Sequence, residues 1–353
     1  VWYAKKKDFG NYLIEDFKIR EYIKKNVINS GVSKVMIERT ANKCYVTIYT
    51  SRQPQLLDPL VEDFYKDTGI KVNLLSGNAQ ELMERIDIEG EDSPADIFMT
   101  VDAGVLWQAA ERDIFSNTES NILDNNIPEY LRDPNNQWFG FSKRARTIVY
   151  SSDQYSDNDF STYEDLSDPK WAGKLCLRTS KKVYNRSLMA SMIDAYGFEK
   201  AKEVVSGWVS NLATEVFSND TNALKAVSSG QCGVTIVNTY YLARLLDDPK
   251  YDNLRLFWAN QDDRGVHVNI SGAGIVKTSK NKANALKLLE YFSSENAQNF
   301  YASANKEYPV TQNAKAHESI IEWGSFSEDT INVSKLGSLQ KQAVFLAQEV
   351  GYK

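Results

Sequence analysis

Residues 55–68 place Leu56, Leu57, Leu60, Val61 and Phe64 along one side of a helix, and Gly69 ends it. This helix lies between two apolar runs, residues 46–50 and 71–75, that read as strands. A second helix is predicted over residues 79–88 and another strand over residues 97–101. Such strand–helix–strand order predicts an α/β fold with a parallel, doubly wound sheet. The rhythm restarts with a strand at residues 174–178. It continues through helices at 188–196 and 198–211 to a strand at 233–238. Two sheets of this kind predict two lobes around a cleft, with ligands outside the carboxyl ends of the strands. Residues 147–150 and 267–276 lie between the two rhythms and are the hinge candidates. Residues 283–295 form one more amphipathic helix, with Leu286, Leu289 and Phe292 on a face.

The front of the chain differs from this body. Over residues 12–28 the apolar Leu13, Phe17, Tyr22, Ile23 and Val27 recur at roughly helical spacing. Val35 and Ile37, then Val46 and Ile48, alternate with polar residues as two strands would. Residues 1–52 hold 11 Lys and Arg against 5 Asp and Glu, whereas the remaining residues hold 30 against 42. A basic helix and hairpin could attract nucleic acid electrostatically, while the acidic body would repel it. An apolar share of 42% and a charged share of 25% exclude wholesale disorder. No apolar run is long enough to span a bilayer, so no membrane insertion is expected. The chain opens on Val1 without a hydrophobic leader, so its compartment has to be argued from elsewhere.

The side-chain inventory narrows the chemistry. Two histidines, His267 and His317, nearly exclude multi-His metal sites. Three cysteines exclude a disulfide framework and leave one bridge open; Cys176 and Cys232 are read as buried free thiols. Asp96 and Asp102 could pass for a paired-carboxylate active site. Asp102 before Ala103-Gly104 is better read as a helix N-cap, and Asp96 as a backbone acceptor. No nucleophile elbow, phosphate loop or His-based acid–base pair appears, so an enzyme is not expected.

Tyrosine, with 19 copies, is plentiful. Tyr240 and Tyr241 directly follow the strand at 233–237, and Tyr184 follows the strand at 174–177. Arg52 follows the strand at 46–50, and Arg144 lies in Lys143-Arg144-Ala145-Arg146 before a hinge candidate. Each has a bland alternative. Adjacent tyrosines are commonly one packed and one wet, and a basic run is commonly a solvated loop. Taken together they make a coherent site. Three phenolates are hard anionic donors that match the charge of Fe³⁺, and a bound trivalent cation displaces their protons. Arginine can hold carbonate or a similar anion bidentately beside such a metal.

Two resemblances sharpen this reading. The stretch from WYAKKKDFGNYLIEDFKIREYIKKN to VTIYTSR resembles the start of the KH domain of the third protein of the bacterial small ribosomal subunit. That family's next segment carries a GxxG clamp for nucleotide backbone. Here Gln53-Pro54-Gln55-Leu56-Leu57 stands instead, so the resemblance implies a truncated head without working RNA binding. From Val46 to Lys353 the motifs VTIYTSRQP, SPADIFMTVDAGVLW, WFGFSKRARTIVY, DPKWAGKLCLRTSKKVYN, VFSNDTNALKAVSSGQC and NTYYLARL resemble periplasmic ferric-iron-binding proteins of ABC importers, the FutA/FbpA type. The resemblance implies a two-lobed, type II solute-binding fold. It would comprise an amino-terminal lobe of residues 46–147 and 265–320, a carboxy-terminal lobe of 148–264 and a helical segment of 321–353, behind a KH-like head of residues 1–45. It also implies Fe³⁺ ligation by Tyr184, Tyr240 and Tyr241, with Arg144 and Arg244 lining the site. Many members have His-Tyr after the first Ser-Arg. This chain reads Ser51-Arg52-Gln53-Pro54, which implies the branch with three tyrosines and an exogenous anion such as carbonate, held by Arg52 and Gln53. The expected partner is an ABC-importer permease, the expected compartment the periplasm and the expected state a monomer. Two alternatives stay open: a carrier of another small ligand, such as a polyamine or organic anion, and an RNA-binding fusion.

Overall fold

The computed structural model describes residues 45–353. The helix expected over residues 12–28 and the strand around Val35 and Ile37 lie outside the described residues.

The chain begins with β1 (Tyr45–Thr50), α1 (Asp58–Thr68), β2 (Lys71–Ser76), α2 (Ala79–Glu89), β3 (Ile97–Thr100) and α3 (Ala103–Glu111). Local chemistry sets these boundaries. Gly69 takes the left-handed conformation that closes α1, and Asn78 caps α2 by accepting from the Gln80 amide. Asp102 caps α3 through the Val105 amide, and Asp96 accepts from the Thr47 amide at 2.8 Å. Both aspartates are therefore structural, as the sequence implied. After α4 (Asn121–Asn126) comes β4 (Phe139–Ser151), thirteen residues long and buried except at Lys143. Then follow β5 (Leu175–Cys176), α5 (Val183–Tyr196), α6 (Phe198–Ser210), α7 (Asp220–Ser228), β6 (Val234–Asn238), α8 (Thr239–Leu245) and β7 (Leu254–Phe257). The chain returns through β8 (Val268–Ile275) and ends in α9 (Lys282–Phe292), α10 (Glu295–Asn305), α11 (Glu318–Ile321), α12 (Ser334–Ser338) and α13 (Gln340–Glu349).

Eight strands form one sheet: seven follow the order β2-β1-β3-β8-β4-β6-β5, and β7 pairs with β4 off this path. The β1–β2, β1–β3 and β5–β6 pairs are parallel, as expected. The expectation of two all-parallel sheets is corrected, because β8 pairs antiparallel with β3 and β4, and β4 antiparallel with β6 and β7. The parallel rule follows from helical crossovers within one sheet, and β4 and β8 are instead joined by a long excursion. Residues 139–145 of β4 pair with β8, whereas Arg146 onward pairs with β6. The strand thus passes from one set of neighbours to the other between Ala145 and Arg146. Tyr163 ties this passage, since its hydroxyl donates to the Arg146 carbonyl and accepts from the His267 amide at 3.1 Å.

The end of the chain packs against both sides of this passage: α12 lies on α3 and α5, and α13 on α5 and α6. Gly337 permits the α12–α3 approach, because a Cβ there would sit 2.3 Å from the Trp107 Cβ. One expectation about cysteine is overturned. Cys176 and Cys232 are not free thiols but form a disulfide, with Cα atoms 5.9 Å apart. The sheet makes them neighbours: β5 and β6 pair in parallel with Cys176 opposite Thr235, and Cys232 stands two residues before β6. Nothing in the spacing of 56 residues signals that contact.

Candidate functional site

A cavity of about 160 Å³ opens beyond the ends of β1, β3 and β6, beside Arg144 in the middle of β4. All seven residues singled out from sequence line it: Tyr184, Tyr240, Tyr241, Arg52, Gln53, Arg144 and Arg244. Tyr184 stands in the first turn of α5, and Tyr240 and Tyr241 in the first turn of α8, so both helices present phenols at their amino-terminal ends. The Tyr240 and Tyr241 rings lie 4.4 Å apart between centroids. Tyr240 is buried, whereas Tyr184 and Tyr241 are half-buried. The packed-and-wet alternative for the tyrosine pair therefore describes their exposure without removing either from the cavity.

A residue absent from the candidate set arranges the two helices. Arg146 is fully buried and donates to Asn185 Oδ1 (3.0 and 2.7 Å), Asp220 Oδ2 (2.9 Å) and Asn238 Oδ1 (3.0 Å). Asn185 adjoins Tyr184 in sequence, and Asn238 Nδ2 donates to the Tyr240 hydroxyl at 3.2 Å. One guanidinium thus braces both phenol-bearing segments. The bland reading of Lys143-Arg144-Ala145-Arg146 as a solvated loop fails, because this run lies inside β4. Its period-two arginines were the available signal: alternate strand residues share a face, and Arg144 and Arg146 are both buried.

Two of the phenols, Tyr184 and Tyr240, bind their protons more tightly than a free phenol does. Burial raises the Tyr184 hydroxyl above its ordinary value, with Arg144 opposing and Tyr241 adding to the rise. Tyr240 is held well above the ordinary value, first by burial and then by Tyr184 and Tyr241. The Arg144 and Arg178 guanidiniums lie 5.8 and 5.0 Å from the Tyr184 ring centroid, and that of Arg244 lies 5.3 Å from the Tyr240 ring. These cations favour the phenolate once a stronger cation has displaced the proton.

The arginines are not equally available. Arg52 Nη1 donates to Ser271 Oγ (2.8 Å) and Ser142 Oγ (3.3 Å), and Nη2 to Glu307 Oε2 (2.7 Å). Only its Nε lacks a partner among the described residues. Arg144 donates to the Val101 carbonyl and to Ser271 Oγ at 3.4 Å. Arg244 is exposed at the rim, and Gln53 is exposed with its side-chain oxygen accepting from Gln55. Glu307 and Asn305 also line the cavity and were missed from sequence. Lys306-Glu307 reads as an ordinary surface pair there. In the structure Lys306 closes α10 at φ 53°, and that left-handed turn leaves Glu307 buried in the cavity wall. Burial alone would raise its carboxyl, but Arg52 and Arg144 outweigh that and hold it below the ordinary value. Among the described residues no group of three or more His, Cys, Asp or Glu could hold a metal ion, so the hard anionic donors this cavity offers are the three phenol oxygens and the Glu307 carboxylate, which Arg52 already engages.

Known proteins share this architecture. A structure described as Trichodesmium (IdiA) (FutA) in complex with iron and citrate ligands superposes with a TM-score of 0.85 at 44% identity, covering 88% of this chain and 100% of that one. Mannheimia haemolytica ferric iron-binding protein A in an open conformation gives 0.81 at 39% identity, covering 87% of this chain and 98% of that one. Iron uptake protein A1 of Synechocystis is 45% identical over 314 residues, 87% of each chain. Separately, a 52-residue segment is 92% identical to small ribosomal subunit protein uS3 of Pelagibacter ubique, spanning 15% of this chain and 23% of that protein. The chain therefore joins an apparent ribosomal-protein fragment to a binding-protein body. Residues 92–328 match the family profile of the bacterial extracellular solute-binding proteins, and with this fold and these relatives the chain belongs to that family.

Proposed function

We propose that this protein carries ferric iron to an ABC-type importer, binding it through the phenolates of Tyr184, Tyr240 and Tyr241 with an anion beside the guanidiniums. The convergence of three phenols and three guanidiniums on one cavity carries the reading. Three phenolates neutralise Fe³⁺, and the guanidiniums supply the field for the anion. Gln53 and Arg244 reach the anion from the rim, and Arg52 offers it chiefly Nε. Residues 46–147 with 265–320, and residues 148–264, act as two lobes that close about the strand passages at Arg146 and Val268. Residues 321–353 brace them. The protein is a carrier without catalytic turnover, works as a monomer and delivers to a permease. The Cys176–Cys232 disulfide suits an oxidising compartment such as the periplasm. No helix of the described residues is long and apolar enough to cross a membrane. The acidic body gives no platform for nucleic acid.

Ferric loading followed by visible spectroscopy tests the reading. Phenolate coordination gives a phenolate-to-iron charge-transfer band, which Tyr184→Phe and Tyr241→Phe should weaken while lowering affinity more than about 100-fold. A colourless loaded protein, or unchanged affinity in either variant, would refute it. The same experiment separates a carrier of an organic anion alone, which would stay colourless. A polyamine has the wrong charge for a cavity lined by three guanidiniums.

A further inference from the structure

Glu307 is the single carboxylate among the residues that line the cavity, and Arg52, Arg144 and Arg244 are its guanidiniums. Three guanidiniums against one carboxylate leave a surplus of two positive charges. Fe³⁺ with three phenolates adds none. The cavity lining with its iron is therefore balanced when the accompanying anion carries two negative charges.

We propose that Glu307 is the residue that selects the anion, by fixing the charge the anion has to match. This rests on the ferric reading above and deepens it. The geometry confines the usual alternative, a bidentate arginine fork, to Arg244 at the rim. Both terminal nitrogens of Arg52 are engaged by Glu307, Ser271 and Ser142, and Arg144 is partly engaged by Val101 and Ser271. With the two inner forks engaged and one left at the rim, the field of the site discriminates between anions more than directed hydrogen bonds do. Glu307 is placed to set that field. It is buried beside Arg52 with 4% of its side chain exposed, and the left-handed turn at Lys306 fixes the approach. Lys306 is itself held by its ammonium donating to the Ala243 carbonyl (2.9 Å) and to Asp247 (2.6 Å). A surplus charge left in such a site is weakly screened, so a mismatch of one charge should weaken anion binding about tenfold.

The experiment loads the full chain with ferric ion in acetate, malonate or citrate, which carry one, two and three negative charges at pH 8. The visible band reports saturation. Wild-type protein should saturate at the lowest concentration with malonate. Glu307→Gln removes one negative charge and should shift the preference toward citrate by about tenfold. Glu307→Gln also leaves Arg52 buried without its carboxylate, so thermal unfolding is measured alongside. The Arg52→Gln/Glu307→Gln pair restores the original balance without a buried lone charge, and should return the preference to malonate. An unchanged anion order in folded Glu307→Gln, or a double variant that no longer prefers malonate, overturns the inference. A wild-type protein without a band in any anion instead refutes the ferric reading, so the two failures are distinguishable.

Discussion

Replacing Cys176 and Cys232 together by alanine tests how the carboxy-terminal half holds its phenols. The bridge closes a loop across a sequence separation of 56 residues. In the chain-entropy account, cross-linking a loop of that length removes about 4 kcal/mol of unfolded-state freedom. Spread over the cooperative unfolding of the described residues, that corresponds to a fall in Tm of roughly 6 °C. The effect should also reach the cavity. The bridge lies beside the β5–β6 pair; β5 leads toward Tyr184 on α5, and β6 runs directly into Tyr240 and Tyr241 on α8. Losing the clip should therefore weaken ferric binding as well as stability. Alanine is the right replacement because both positions are buried and serine would add an unpaired hydroxyl. Differential scanning fluorimetry of the double variant and of wild type in dithiothreitol should give the same lowered Tm. A thiol titration of denatured, unreduced protein should find one of the three thiols free. If reduction leaves Tm and ferric affinity unchanged, the bridge neither stabilises this half nor positions its tyrosines.

Ferric affinity should fall as pH falls, because Tyr184 and Tyr240 carry raised proton affinities and a bound ion has to displace those protons. With three phenols involved, competition against a chelator should approach a thousandfold per pH unit, and a slope of zero would remove them from the ligand set. Arg146→Met should lower stability by about 3–5 kcal/mol, since it leaves Asp220 buried without one of its partners; urea unfolding checks this, and an effect below about 1 kcal/mol would deny Arg146 its bracing role. Gly337→Ala drives a methyl into Trp107 and should destabilise by about 1–3 kcal/mol, read as a lower urea midpoint with an unchanged slope.

Gln53 and Arg244 entered through the family resemblance; the strand–helix rhythm and the other five candidate positions were legible in the chain by itself. Both come from local chemistry: apolar spacing follows backbone period, and residues just beyond a strand stand at a sheet edge, where Tyr184, Tyr240, Tyr241 and Arg52 are found. Only the tertiary structure decided what those residues meet. It paired Cys176 with Cys232, engaged both ends of Arg52, turned Glu307 into the cavity and made Arg146 the brace between two helices. It also set β8 and β4 antiparallel at the centre of the sheet. These outcomes depend on groups brought together from distant segments, such as Arg52 and Glu307, 255 residues apart. The physical reason is range: periodicity and capping act within a few residues, whereas ion pairs, disulfides and strand order arise where separate segments fold against one another.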